Sequence, residues 1–161
     1  MMNQVFWYYG ESRRYEAEYG RKIPAVMFMH VPPLEFNLMY RNPEQLSLIG
    51  HMRESPASGE LNNGLVMACL ERGDVRGIFV GHEHLSDAQG EYMGLTMAYD
   101  AALGYDMSGH DDLRGGRVID LYTDGTMKTR MINLINIIGD RAMRNPDFFE
   151  GGDHYFLRFT D

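Results

Sequence analysis

A chain of 161 residues with 44% hydrophobic and 24% charged residues has the size and composition of one globular domain, not of a disordered or membrane-spanning chain. A net charge of −8, with only fifteen scattered Lys and Arg, argues against nucleic acid as a partner, because phosphate backbones are bound by clustered cations. The apolar runs are too short to span a bilayer, and the first residues have neither the basic start nor the apolar stretch of a secretory leader. A soluble protein of undetermined compartment is therefore expected, with no membrane partner. Cys69 is the single cysteine, so any bound metal must be held by histidine and carboxylate.

In chain order, Phe6, Tyr9, Arg13 and Glu16 recur at helical spacing and predict a helix over 3–19, stopped by Gly20. Pro24 introduces an apolar run over 25–30 that reads as a strand buried on both faces, closed by Pro32-Pro33. Residues 34–59 read as a long loop with a short helix near 36–40. Asn62 or Asn63 can cap a helix running to Arg72, Gly73 suits its stop, and residues 74–81 give a second buried strand, completing a βαβ unit. The remainder predicts strands over 92–99, 116–122 and 126–132 in an antiparallel meander, with Asp124-Gly125 as a two-residue hairpin turn. The loop over 100–115 would sit at the active edge, and residues 139–161 read as a surface tail of a single domain covering 1–161.

His30 ends the first buried strand, and His82 and His84 follow the second. Loops leaving the C-terminal ends of neighbouring strands converge, and residues i and i+2 of an extended segment point the same way, so three imidazoles can meet at that edge. Glu35, Glu54, Asp87 and Asp100 are candidate carboxylates but read as solvated loop charges, and His110-Asp111-Asp112 as an exposed turn. Cys69 reads as a small buried hydrophobe and the thirteen methionines as core filler.

Phe28-Met29-His30-Val31-Pro32 resembles the fourth block of the calcineurin-like metallophosphoesterases, and Gly81-His82-Glu83-His84 their Gly-His-x-His signature. Asn62-Asn63-Gly64-Leu65, Arg72-Gly73-Asp74-Val75, Gly94-Leu95-Thr96-Met97-Ala98-Tyr99 and Gly115-Gly116-Arg117-Val118-Ile119-Asp120-Leu121 follow in an order similar to the purple-acid-phosphatase-like branch. The resemblance implies the C-terminal half of a metallo-dependent phosphatase-type αββα sandwich. It also implies a site for two divalent ions (Mn, Zn or Fe), with His30 and His82 on one and His84 on the other, acting on a small phosphoester substrate.

The family's Asp-x-His, Gly-Asp and Gly-Asn-His blocks, which carry the bridging carboxylate and the acid for the leaving group, are absent from these residues. A partner chain or a homo-oligomer would then complete the site. The alternative is an inactive remnant or interaction module that binds one metal or none. Glu83 stands where Asp is common, and Asp100-Ala101 where many relatives carry Gly-Arg.

Overall fold

The computed structural model describes residues 2–144 and the backbone of 157–159. Helix α1 (Met2–Tyr19) leads into β1 (Ala25–Met29); a short helix α2 (Asn37–Arg41) and strand β2 (Gly50–Met52) lie within the irregular stretch that follows. Helix α3 (Leu65–Arg72) connects to β3 (Val75–Val80). The second half holds β4 (Gln89–Tyr92), β5 (Leu95–Tyr99), β6 (Gly115–Leu121), β7 (Met127–Asn133) and a one-turn helix α4 (Leu134–Ile138). Strand β8 (Leu157–Phe159) pairs antiparallel with β2. The fold is α/β.

The main sheet is mixed, in the order β1-β3-β5-β4, with β1, β3 and β5 parallel and β4 antiparallel to β5. The βαβ unit expected around α3 is present, and Gly73 ends α3 in a left-handed conformation with its N–H on the Cys69 carbonyl. In register, Met27 and Met29 align with Ile78 and Val80, which align with Met97 and Tyr99. These side chains share one face, and with Val5 and Tyr8 of α1 and Val66 and Cys69 of α3 they form the core. Burying an Ile or Met of this kind contributes about 1.5–3 kcal/mol. On the opposite face the β6–β7 hairpin lies close against β3. A Cβ placed on Gly77 would come 2.9 Å from the Met127 methyl, so a larger residue there would require the Met127 and Phe79 side chains to shift.

The buried stripe of α1 is Val5, Tyr8 and Ser12, one residue earlier than the spacing of Phe6, Tyr9, Arg13 and Glu16 suggests. Asp74, buried at the start of β3, selects that stripe: it accepts hydrogen bonds from Tyr8 (2.5 Å) and from Ser12, whose hydroxyl also takes one from Arg72 Nε at 2.6 Å. Arg72 further pairs with Glu16. A buried carboxylate needs such partners, and it draws the helix face that can supply them.

Three other expectations are corrected. Strand β1 is not buried on both faces: among the described residues it is the edge of the sheet, and Phe28 is 66% exposed. Residues 92–99 are not one strand but part of a β4–β5 hairpin, turned by Met93 and Gly94, both at positive φ. The antiparallel part is thus two hairpins in different sheets. At Asp124-Gly125 only Gly125 has positive φ, and the Tyr122 N–H to Thr126 carbonyl bond encloses three residues. Among residues 139–161, Gly139–Ala142 form a 3-10 turn with Ala142 buried; 145–156 and 160–161 of the expected surface tail lie outside the described residues. No helix among the described residues is long and apolar enough to cross a membrane.

Candidate functional site

The register aligns the C-terminal ends of three parallel strands, so His30, Gly81-His82 and Asp100 emerge side by side from β1, β3 and β5. The His30 and His82 ring centres are 5.2 Å apart, with the planes inclined at 45°. Gly81 permits this approach, since a Cβ there would stand 3.2 Å from His30 Nδ1. His82 itself has φ +72°, a left-handed conformation that costs a β-carbon-bearing residue about 1–2 kcal/mol. The chain reverses there: the Glu83 N–H donates to the Gly81 carbonyl (2.9 Å), and Ser86 N–H to the Glu83 carbonyl (3.3 Å).

Glu83 points inward and is 1% exposed. Its Oε1 accepts the Ala57 N–H at 2.5 Å and lies 3.5 Å from His82 Nδ1, while Oε2 has no hydrogen-bond partner among the described residues. Burial pushes this carboxyl above the ordinary range, although the Ala57 N–H and His82 pull the other way. The buried Tyr99 hydroxyl, likewise without a hydrogen-bond partner, senses the charges of both Glu83 and Glu54. Glu54 accepts the Leu85 N–H at 2.7 Å. His84 is held differently, through Nδ1 on the Ser108 hydroxyl at 2.6 Å, which ties the 101–114 loop to the site.

Around this edge the charges are paired. Asp87, expected in solvent, is buried and accepts the His51 N–H at 2.6 Å, with His51 Nδ1 at 3.1 Å. Asp100 meets Arg117, and Glu35 accepts from Asn62. The His110-Asp111-Asp112 segment is no exposed turn: Arg53 grips Asp112 through two bonds (2.8 and 2.6 Å) and contacts His110 Nδ1 at 2.7 Å, while Asp111 is buried against Arg114 at 2.7 Å. Among the described residues no group of three or more His, Cys, Asp or Glu side chains is placed to hold a metal ion.

No protein-family model matches the chain, and no solved structure does. Three curated proteins of Arabidopsis thaliana match. "Probable inactive purple acid phosphatase 14" is 31% identical over 136 residues, which is 80% of this chain and 33% of that relative. "Probable inactive purple acid phosphatase 29" is 32% identical over 110 residues, 64% of this chain and 28% of that relative. "Probable inactive purple acid phosphatase 28" is 31% identical over 98 residues, 60% of this chain and 24% of that relative. The chain belongs to the purple-acid-phosphatase-like family. It corresponds to the family's C-terminal part and spans a third or less of the length of these relatives.

A purple-acid-phosphatase-like site implies metal, and the histidine pair fits one ion. Two imidazoles on a tetrahedral ion, each nitrogen about 2.0–2.1 Å from it, have ring centres about 5 Å apart, close to the separation of His30 and His82. The Nδ1 atoms of His82 and His84 face chain groups, so Nε2 is the nitrogen each has to offer. Carboxylate ligands do not join them among the described residues: Glu54 and Glu83 accept from main-chain N–H groups, and Asp100 is paired with Arg117. Sequence reasoning overlooked Ser108 and the inward role of Glu83. For Glu83 the residue types carry no such signal: the left-handed turn at His82 that accompanies its inward placement replaces strand alternation beyond Val80.

Proposed function

We propose that this chain contributes the histidine side of a metal-dependent phosphoester hydrolase site, with His30 and His82 on one ion and His84 on a second, in an αββα sandwich of the phosphatase type. The observation that carries the reading is the convergence of His30 and His82 from two parallel strands at the spacing of shared ligands. Helices on one face of the mixed sheet and a hairpin on the other support the layered arrangement. A bound Zn, Mn or Fe ion would polarise the phosphoryl oxygens and supply hydroxide at neutral pH. Neutral imidazoles offset none of the positive charge of two divalent ions, so the carboxylates must come from a partner chain or from further sequence.

A second reading is favoured by two observations: the relatives are described as probably inactive, and no carboxylate joins the histidines. It makes the chain a non-catalytic module that binds one ion or none. Titration calorimetry with ZnCl2 and MnCl2 on the wild type and His82→Ala, together with hydrolysis of p-nitrophenyl phosphate, separates the two. Zinc binding lost in His82→Ala, with hydrolysis above background, supports the enzyme; binding without hydrolysis supports the module. Equal, negligible binding in both proteins removes the metal reading.

A further inference from the structure

The Gly81-His82-Glu83-His84 turn is held to the core by an arrangement that the histidine ligands alone do not require. Residues 51–53 and 85–87 run antiparallel, with a bridge between Met52 and Ser86, the Arg53 N–H on the Leu85 carbonyl (3.2 Å) and the Asp87 N–H on the His51 carbonyl (2.9 Å). Where this ladder ends, two side chains take over. Glu54, from the first segment, accepts the main-chain N–H of Leu85 at 2.7 Å. Glu83, from the second, accepts the main-chain N–H of Ala57 at 2.5 Å. Each segment thus gives a carboxylate to the other's backbone, and His82 and His84 lie on either side of one of the two acids.

We propose that Glu54 and Glu83 form a reciprocal clasp that positions the two histidines, with Glu83 keeping the His82 proton on Nδ1 and leaving Nε2 bare at the open edge of the sheet. The left-handed backbone of His82 gives such a device a role, because strained backbone persists where the surrounding structure holds it. Glu83 Oε1 accepts the Ala57 N–H and also stands 3.5 Å from His82 Nδ1, an ion-pair distance longer than a formed hydrogen bond, so a small ring movement brings Nδ1–H onto the carboxylate. A second group that fixes the tautomer and ring direction of a ligating histidine typically raises metal affinity 10–100-fold. Both acids are therefore positioning residues and not ligands. The proposal rests on the metal reading for its purpose but not for its geometry.

The test has two readouts. In metal-free protein labelled with 15N-histidine at pH 8, a two-bond proton–nitrogen spectrum reports which ring nitrogen of His82 carries the proton; His82→Ala assigns the signal. The expected result is Nδ1–H in the wild type and in Glu83→Gln, whose amide oxygen can still accept, and a shift toward Nε2–H in Glu83→Ala. Glu54→Ala, which touches neither histidine, is expected to move the Leu85 and Ala57 amide signals together and to perturb His82.

The second readout is calorimetric titration with ZnCl2, expected to weaken 10–100-fold in Glu83→Ala and to recover at least partly in Glu83→Gln. If Glu83→Ala does not fold, Glu83→Gln and Glu54→Ala carry the comparison. An Nε2–H proton on His82 in the wild type, or identical His82 spectra across the series, overturns the clasp. A correct tautomer pattern in a protein that takes up no zinc leaves the clasp standing and overturns the metal reading instead.

Discussion

Replacing Arg117 with Met isolates the contribution of one buried guanidinium to the joining of the two layers. The Arg117 side chain is 1% exposed and reaches from β6 to the main sheet. Its Nε donates to Asp100 Oδ1 (3.1 Å), Nη2 to the carbonyls of Asp87 (2.7 Å) and Tyr99 (3.0 Å), and Nη1 to the Gln89 side chain and more weakly to Thr129. Methionine keeps most of the apolar stem, so the loss is that of the charged fork. Breaking a buried pair costs about 3–5 kcal/mol, and each buried carbonyl that loses its donor about 1–3 kcal/mol. Asp100 is 39% exposed and water can take over part of its solvation, which lowers the expected total to about 3 kcal/mol. For a domain of this size that is a fall in Tm of roughly 6–12 °C. Urea denaturation followed by circular dichroism measures it, and Arg117→Lys, which keeps charge but not the fork, should fall between. A loss below about 1 kcal/mol in Arg117→Met would refute the view that this residue joins the layers.

Gly81→Ala should weaken zinc binding several-fold with little change in Tm, since the added methyl displaces the His30 ring by a few tenths of an ångström; calorimetry paired with thermal melting tests it. The Cys69 thiol, buried and pushed by desolvation up to about 11, should stay unreactive toward an aromatic disulfide reagent at pH 8 until urea unfolds the chain; rapid native-state labelling would contradict its placement. Burial raises the Asp112 pKa, but the Arg53 hydrogen bond and charge outweigh it and hold the net value below the ordinary range. A depressed folded pKa gives stability that is present above the unfolded value of about 3.9 and lost as pH falls through the folded one. The Tm difference between wild type and Asp112→Asn should therefore be constant above about pH 5 and shrink below about pH 4; a difference that grows in acid would contradict the pairing.

The βαβ core was legible because its signals are local: Gly77–Val80 is an uninterrupted apolar run, Gly73 can take the left-handed stop, and prolines bound β1. Which strand lies at the sheet edge was not legible, since apolarity says that a residue can be buried but not what would cover it. The β4–β5 hairpin escaped notice because Met93-Gly94 lacks the Asn or Asp that announces such turns. The acids were misread for a related reason. Glu54, Asp87 and Asp111 each have the composition of a loop charge, and their partners, Leu85, His51 and Arg114, are identified only once the chain has closed on itself. At the site, the His30–His82 encounter followed from strand ends converging, whereas the Ser108 bond to His84 depends on how a fifteen-residue connection happens to fold back.

The outer border of β1 has a geometric corollary for anything that extends the sheet. No strand among the described residues pairs with that border. A newcomer lying in the same direction as β1 would deliver its final residue beside His30, and one lying in the opposite direction its first, so the polarity of the added strand alone decides which of its ends reaches the histidines.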